Sequence, residues 1–344
     1  MPALTSLLRG YAAAFALLAL HLALATAAFL RAGAWPYIDT GAFYATSALI
    51  LSLMVLILAS VVQTLRALWN RAPNPLRLVA RQGRDWLVTR ATGAHAIVTL
   101  VAVTASLSIF GSVKVSIPLL RPFTHDQPFR DLDRLIFAGR DPYEWLLPVF
   151  GGDRMLAALN LIYPAWLVCL ILSITWLMFS RHHLRRMRYL IAFILSFAVA
   201  GNLLAAVFSS AGPCFYQQVL GDDSFAPLMA HLDASARRTG FDWSVRMQAL
   251  FWRNFQNWDG PISGISAMPS MHNLVAWLWV FLLWPNRWLG GAALVFALAT
   301  FIGSVMLGWH YAVDGIAGAV LAVMAWAVAG PLAARACTGW ARPA

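Results

Sequence analysis

RHHLRRMRYLIAFILSFAVAGNLLAAVFSS, residues 181–210, joins two signals that a soluble domain does not combine. Four arginines and two histidines crowd its first eight positions, and the remainder carries no charge. Roughly 20 apolar residues, at about 1.5 Å each along a helix, match the ~30 Å hydrocarbon core of a bilayer. Basic residues massed at one end of such a run mark the side retained in the cytoplasm. The stretch therefore reads as a membrane-spanning helix with a cytoplasmic amino end.

The pattern recurs along the chain, whose 344 residues are 60% hydrophobic and 11% charged. Apolar runs fall at about 8–30, 42–65, 92–113, 155–179, 190–210, 272–288, 289–309 and 313–335, near the length that crosses a bilayer. These eight runs predict an all-α fold, a polytopic membrane helix bundle. The sixth is the shortest, because Pro285, Asn286 and Arg287 allow only a tight turn before the seventh. The first exceeds the apolar core of a signal peptide and is read as a retained span.

Eight spans put both termini on one side. Segments on that side hold 14 basic residues against one acid, Asp85, whereas the other side holds 11 basic and 13 acidic residues. The first side is expected to be cytoplasmic. The net charge of +11 is then a topology signal and gives no support to nucleic-acid binding. The long segments 114–154 and 211–271 lie outside, and the short remaining loops point to a bacterial inner membrane with a periplasmic outer face. Cys169 in a span, Cys214 outside and Cys337 in the inner tail are too far apart for a bridge.

Ionisable groups at the ends of membrane helices are costly and point to function. KVSIPLLRPF contains Lys114, the single lysine against 24 arginines, and Arg121, two cations able to converge on an anion. SAMPSMHNLVAW, residues 266–277, puts Ser270 at a helix start, where free N–H groups and the helix dipole favour an anion, with His272 close by. GSVMLGWHYAVDGIAG carries His310 and Asp314 four apart. On a helix beginning before them, the carboxylate would hold an imidazole N–H and fix its tautomer. The small residues of GIAG suit close helix packing.

Each cluster alone has a plain reading: a snorkelling lysine, an N-cap serine, a satisfied structural histidine. The alternating topology puts all three on the outer face, and that coincidence favours one shared site. Two cations, a helix N-terminus with a hydroxyl, and two histidines suit phosphoryl transfer. No cluster supplies the carboxylates of a magnesium site, so neither metal nor other cofactor is expected.

In chain order, K-x6-R-P, P-S-x-H and H-x3-D resemble the three-part signature of the type-2 phosphatidic acid phosphatase superfamily. The resemblance implies a six-helix catalytic membrane domain within residues 91–335. Residues 1–90 would add two accessory transmembrane helices and a basic cytoplasmic loop, and residues 336–344 a cytoplasmic tail. It further implies His310 as a nucleophile forming a phosphohistidine, Asp314 as its orienter and His272 as general acid. Ser270, Lys114 and Arg121 would bind the phosphate.

Two positions depart from the signature. Met271 stands where the second motif has glycine, and Gly303-Ser304 stands where the third has Ser-Arg. Arg253 is an outer arginine available as a substitute. The departures, the HY-x-x-D form of the third motif, the run RPFTHDQPFRDLDRLIFAGRDPYEWL and the turn SAGPCFY are similar to the branch containing inositol phosphorylceramide synthase and its bacterial relatives. That branch moves a phosphorylated head group from a lipid donor to a lipid alcohol. Such transfer must exclude water, and Trp243, Trp252 and Trp258 in the outer segment 211–271 have two readings, a cover over the site or anchors at the membrane interface.

The leading expectation is therefore a lipid phosphotransferase of inositolphosphotransferase type, whose partners are a phospholipid or lipid-phosphate substrate and the bilayer. The alternatives are a lipid phosphate phosphatase acting on phosphatidate or a polyprenyl diphosphate, and a non-catalytic transporter or lipid-binding membrane protein.

Overall fold

The computed structural model of the chain describes residues 2–33, 39–86, 92–257 and 264–338. All regular structure among them is helical. Helices α1 (Pro2–Ala32), α2 (Asp39–Trp69), α3 (Pro75–Arg84) and α4 (Thr92–Leu120) are followed by the short α5 (Asp126–Ile136) and α6 (Pro142–Phe150). Next come α7 (Asp153–Phe179) and α8 (His183–Leu195), which runs on as a π-helical stretch, Ser196–Leu204, into α9 (Ala205–Val207). Helices α10 (Tyr216–Leu220), α11 (Ala226–Thr239) and α12 (Trp243–Asn257) precede the final three, α13 (Met271–Leu283), α14 (Arg287–Met306) and α15 (Ala312–Thr338).

Among the described residues, seven helices are long and apolar enough to cross a membrane: α1, α2, α4, α7, α8 with its continuation to Val207, α14 and α15. The eighth expected span is the 13-residue α13, about 20 Å long at 1.5 Å per residue. Asn286 caps α14 by accepting from Trp288 N and Leu289 N, so the tight turn read from Pro285-Asn286-Arg287 is present. The two long connections expected on the outer side are helical, α5–α6 and α10–α12. They gather at the end of the bundle opposite the arginine-rich start of α8.

The bundle centre is apolar, built from α4, α7, α8, α13, α14 and α15, with Tyr11 and Leu18 of α1 packed into it. A glycine sets one of its close backbone contacts. A Cβ on Gly318 would lie 2.6 Å from the Ser270 carbonyl oxygen, so α15 can approach the start of α13 only with glycine there. The three cysteines are free, and Cys337 belongs to the last turns of α15 rather than to a tail, because the apolar helix continues to Thr338.

Candidate active site

The chain arrives at α13 through a buried strut. Ser210 accepts from Ala267 N at 2.9 Å through its carbonyl and from Met268 N at 3.1 Å through its hydroxyl. Ser270 then caps α13, its Oγ accepting from Asn273 N at 3.4 Å and from Asn273 Nδ2 at 3.0 Å. His272 enters in the first turn, stacked on Tyr163 at 4.7 Å and beside Trp166 at 4.4 Å between ring centroids. The Trp166 indole donates to the His272 carbonyl at 3.0 Å, so both the ring and the backbone of His272 are held by α7.

His310 does not lie on a helix with Asp314. α15 begins at Ala312, which leaves His310 in the preceding turn, and the contact is made by a capping arrangement instead. Asp314 Oδ2 accepts from Tyr311 N at 3.0 Å and lies 3.3 Å from His310 Nδ1. Asp314 is fully buried and His310 is 7% exposed. The Ser270 N–H donates to the Asp314 carbonyl at 3.0 Å. That bond ties the second motif to the third.

The two imidazoles face one cavity of about 340 Å³, with centroids 6.3 Å apart. Lys114, near the end of α4, lines it too, its Nζ 5.7 Å from the Phe110 ring centroid. Gly264 passes so close that a Cβ would meet Lys114 Cγ at 3.1 Å. Aromatic side chains contribute to the remaining wall, among them Tyr163, Trp166, Phe215 and Trp309. Trp243, Met247 and Phe251 form a stripe along α12 that closes one side.

Of the residues singled out from sequence, the structure brings Lys114, His272, His310 and Asp314 together. Ser270 is adjacent, but its hydroxyl is occupied with Asn273 rather than turned to the cavity. Arg121 is exposed and does not line the cavity. Its N–H still donates to the Ile117 carbonyl at 2.8 Å, the last helical bond of α4, while its side chain stays exposed. Arg253 is exposed and lines a separate hollow with Cys214 and Trp252. Trp243 contributes to the wall, Trp252 stacks on Phe215 at 5.6 Å, and Trp258 lies outside the described residues.

At the position of the absent arginine, Ser304 is fully buried. It accepts from Asn273 Nδ2 at 3.2 Å and donates to the Phe301 carbonyl at 2.7 Å. Among the described residues, Lys114 is thus the only lysine or arginine that lines the cavity. Sequence reading passed over Asn273, whose amide bridges the serines of two motifs. Its place directly after His272 was the only available signal.

A family model described as the PAP2 superfamily matches residues 138–328, which takes in His272, His310 and Asp314 and begins after Lys114. No curated protein and no solved structure matches the chain.

Proposed function

The chain belongs to the PAP2 superfamily, and from that membership we propose that it is an integral membrane lipid phosphotransferase working through a phosphohistidine. Phosphoryl chemistry on lipid phosphates is the general activity of such a protein; transfer between lipids is the finer reading. The observation that carries it is the pair of imidazoles 6.3 Å apart across a lysine-bearing cavity, one of them bonded to a buried carboxylate.

With Nδ1 held by Asp314, His310 presents Nε2 to phosphorus. Attack forms the N–P bond and breaks the ester bond to the departing lipid alcohol, whose oxygen takes a proton from His272. In the second half, an acceptor alcohol loses its proton to His272 and attacks phosphorus, and the N–P bond breaks to free His310. Lys114 stabilises the non-bridging oxygens throughout, in a site where a fixed charge acts with little screening.

Two features favour transfer from a phosphodiester. A diester carries one negative charge, whereas a monoester approaches two at neutral pH, and the cavity offers one fixed cation where the superfamily signature would add an arginine. The apolar stripe of α12 also keeps bulk water from the phosphohistidine, which leaves an alcohol as the competing acceptor. Phosphate in this site would engage Lys114 and the N–H groups at the start of α13 capped by Ser270; Arg121 would have to swing inward to join them. The arginine distribution supports a periplasmic site with cytoplasmic termini in a bacterial inner membrane.

Product analysis tests the proposal. Purified protein is given head-group-labelled phospholipid with diacylglycerol, ceramide or another lipid alcohol. Label on a new lipid, absent in His310→Ala, is the expected result. Release of phosphate or phosphorylated head group alone would replace transfer with the phosphatase reading.

A further inference from the structure

Helix α5 is amphipathic in an unusual way. The face it buries, at spacings of three and four, is Asp126, Phe129 and Asp133, with both carboxylates 1% exposed. Burying a carboxylate is costly unless hydrogen bonds replace its water. The neighbouring guanidinium of Arg130 does not supply them, because it is engaged with Asp141 through two bonds of 3.1 Å and lies over the Tyr216 and Phe225 rings.

Both carboxylates accept from segments next to cavity-lining residues, 211–212 and 311–313. Asp126 accepts from Ala211 N at 2.8 Å, from Gly212 N at 2.8 Å and from the Tyr311 hydroxyl at 2.9 Å. Ala211 lines the cavity, and Gly212, at φ 99°, runs against the Trp309 carbonyl, where a Cβ would sit 2.7 Å away. Asp133 accepts from Ala312 N at 2.8 Å and Val313 N at 2.9 Å, the first two amides of α15.

Those amides need an acceptor from elsewhere. The residue preceding the helix is Tyr311, whose ring cannot take the N-cap part played by Ser, Thr, Asp or Asn. Asp133 fills that part from 179 residues away in sequence, and its charge is also favoured by the positive end of the helix dipole. Asp314, at the third position of the helix, closes the other half of the arrangement by accepting from Tyr311 N. The oxygen that takes this bond is the one that holds His310.

We propose that Asp126 and Asp133 are positioning residues for the reaction: together they fix the turn His310–Asp314 against the cavity, and so fix the direction in which His310 points. This role rests on the reading of His310 as nucleophile. The clamp itself is a property of the fold. Asp133 needs both oxygens as acceptors, and its carboxyl, pushed up to about 7 by burial against the pull of its two N–H donors, with Asp314 and Asp141 adding to the rise, loses one of them on acidification. The charges that act on it are Asp314 in the first turn of α15 and Asp141 beyond α5, the latter paired with Arg130 and Arg134. Turnover therefore falls as pH drops through about 7.

The test compares full-length wild type with Asp133→Asn and Tyr311→Phe in detergent, by amide hydrogen exchange and steady-state kinetics. Asp133→Asn should speed exchange in peptides spanning 308–314 and lower kcat by about 10²-fold with KM within roughly threefold, as expected for a misdirected nucleophile. It should also remove the acid limb near pH 7. Tyr311→Phe deletes only the hydroxyl bond to Asp126, is the milder change should the asparagine variant not fold, and should lower kcat about tenfold with KM unchanged. Unaltered exchange, or faster exchange with wild-type kcat, would overturn the role. A wild type inactive on every lipid phosphate would sink the proposed function instead, while the exchange data would still decide whether the clamp exists.

Discussion

Asp314 Oδ2 stands 3.3 Å from His310 Nδ1 and accepts the Tyr311 N–H through the same oxygen. One oxygen thus orients a side chain and starts a helix. An asparagine presenting its oxygen there keeps the helix start but cannot stabilise an imidazolium by charge. Asp314→Asn is expected to purify in normal yield and to lose on the order of 10³-fold in kcat. A near-wild-type rate would remove Asp314 from the mechanism.

Lys114 and Arg121 separate a cation in the cavity from one outside it. Lys114→Ala should cost about 10²–10³-fold in kcat/KM, the usual consequence of losing one preorganised charge at a reacting oxyanion. Arg121→Ala should stay within about threefold of wild type, as surface charges do. Equal losses from both would mean that Arg121 moves in to meet the substrate.

Asn273 joins Ser270 and Ser304, two positions of the superfamily signature, through one amide nitrogen. Asn273→Ala leaves two buried hydroxyls without this donor and should lower stability by about 1–3 kcal/mol, read as a fall in Tm. An unchanged Tm would show that the bridge does not hold α13 to α14.

Much of the site was legible because its chemistry is carried by residue types that a membrane helix otherwise avoids. Lys114, His272, His310 and Asp314 each interrupt or border an apolar run, and the charge of the loops was enough to place them at one end of the bundle. Arg121, expected beside Lys114, is instead exposed and off the cavity wall, and the Arg121→Ala comparison decides its role. The i, i+4 pair of His310 and Asp314 was right in contact and wrong in cause, since α15 begins between them.

Asp126 and Asp133 were out of reach of the sequence for a different reason. Their partners are backbone amides and a tyrosine 85 to 185 positions away, and backbone donors leave no signature in residue type. On a charged outer helix the two acids look like solvated surface. Tertiary structure alone buries them.

The most direct test of the central claim is to trap the covalent intermediate. Wild type is mixed with head-group-labelled phospholipid, quenched in alkaline denaturant and digested for mass analysis. The account predicts an acid-labile phosphoryl adduct on His310, absent in His310→Ala and discharged when an acceptor alcohol is added before the quench. Turnover without any such adduct, or an adduct on another residue, would contradict it.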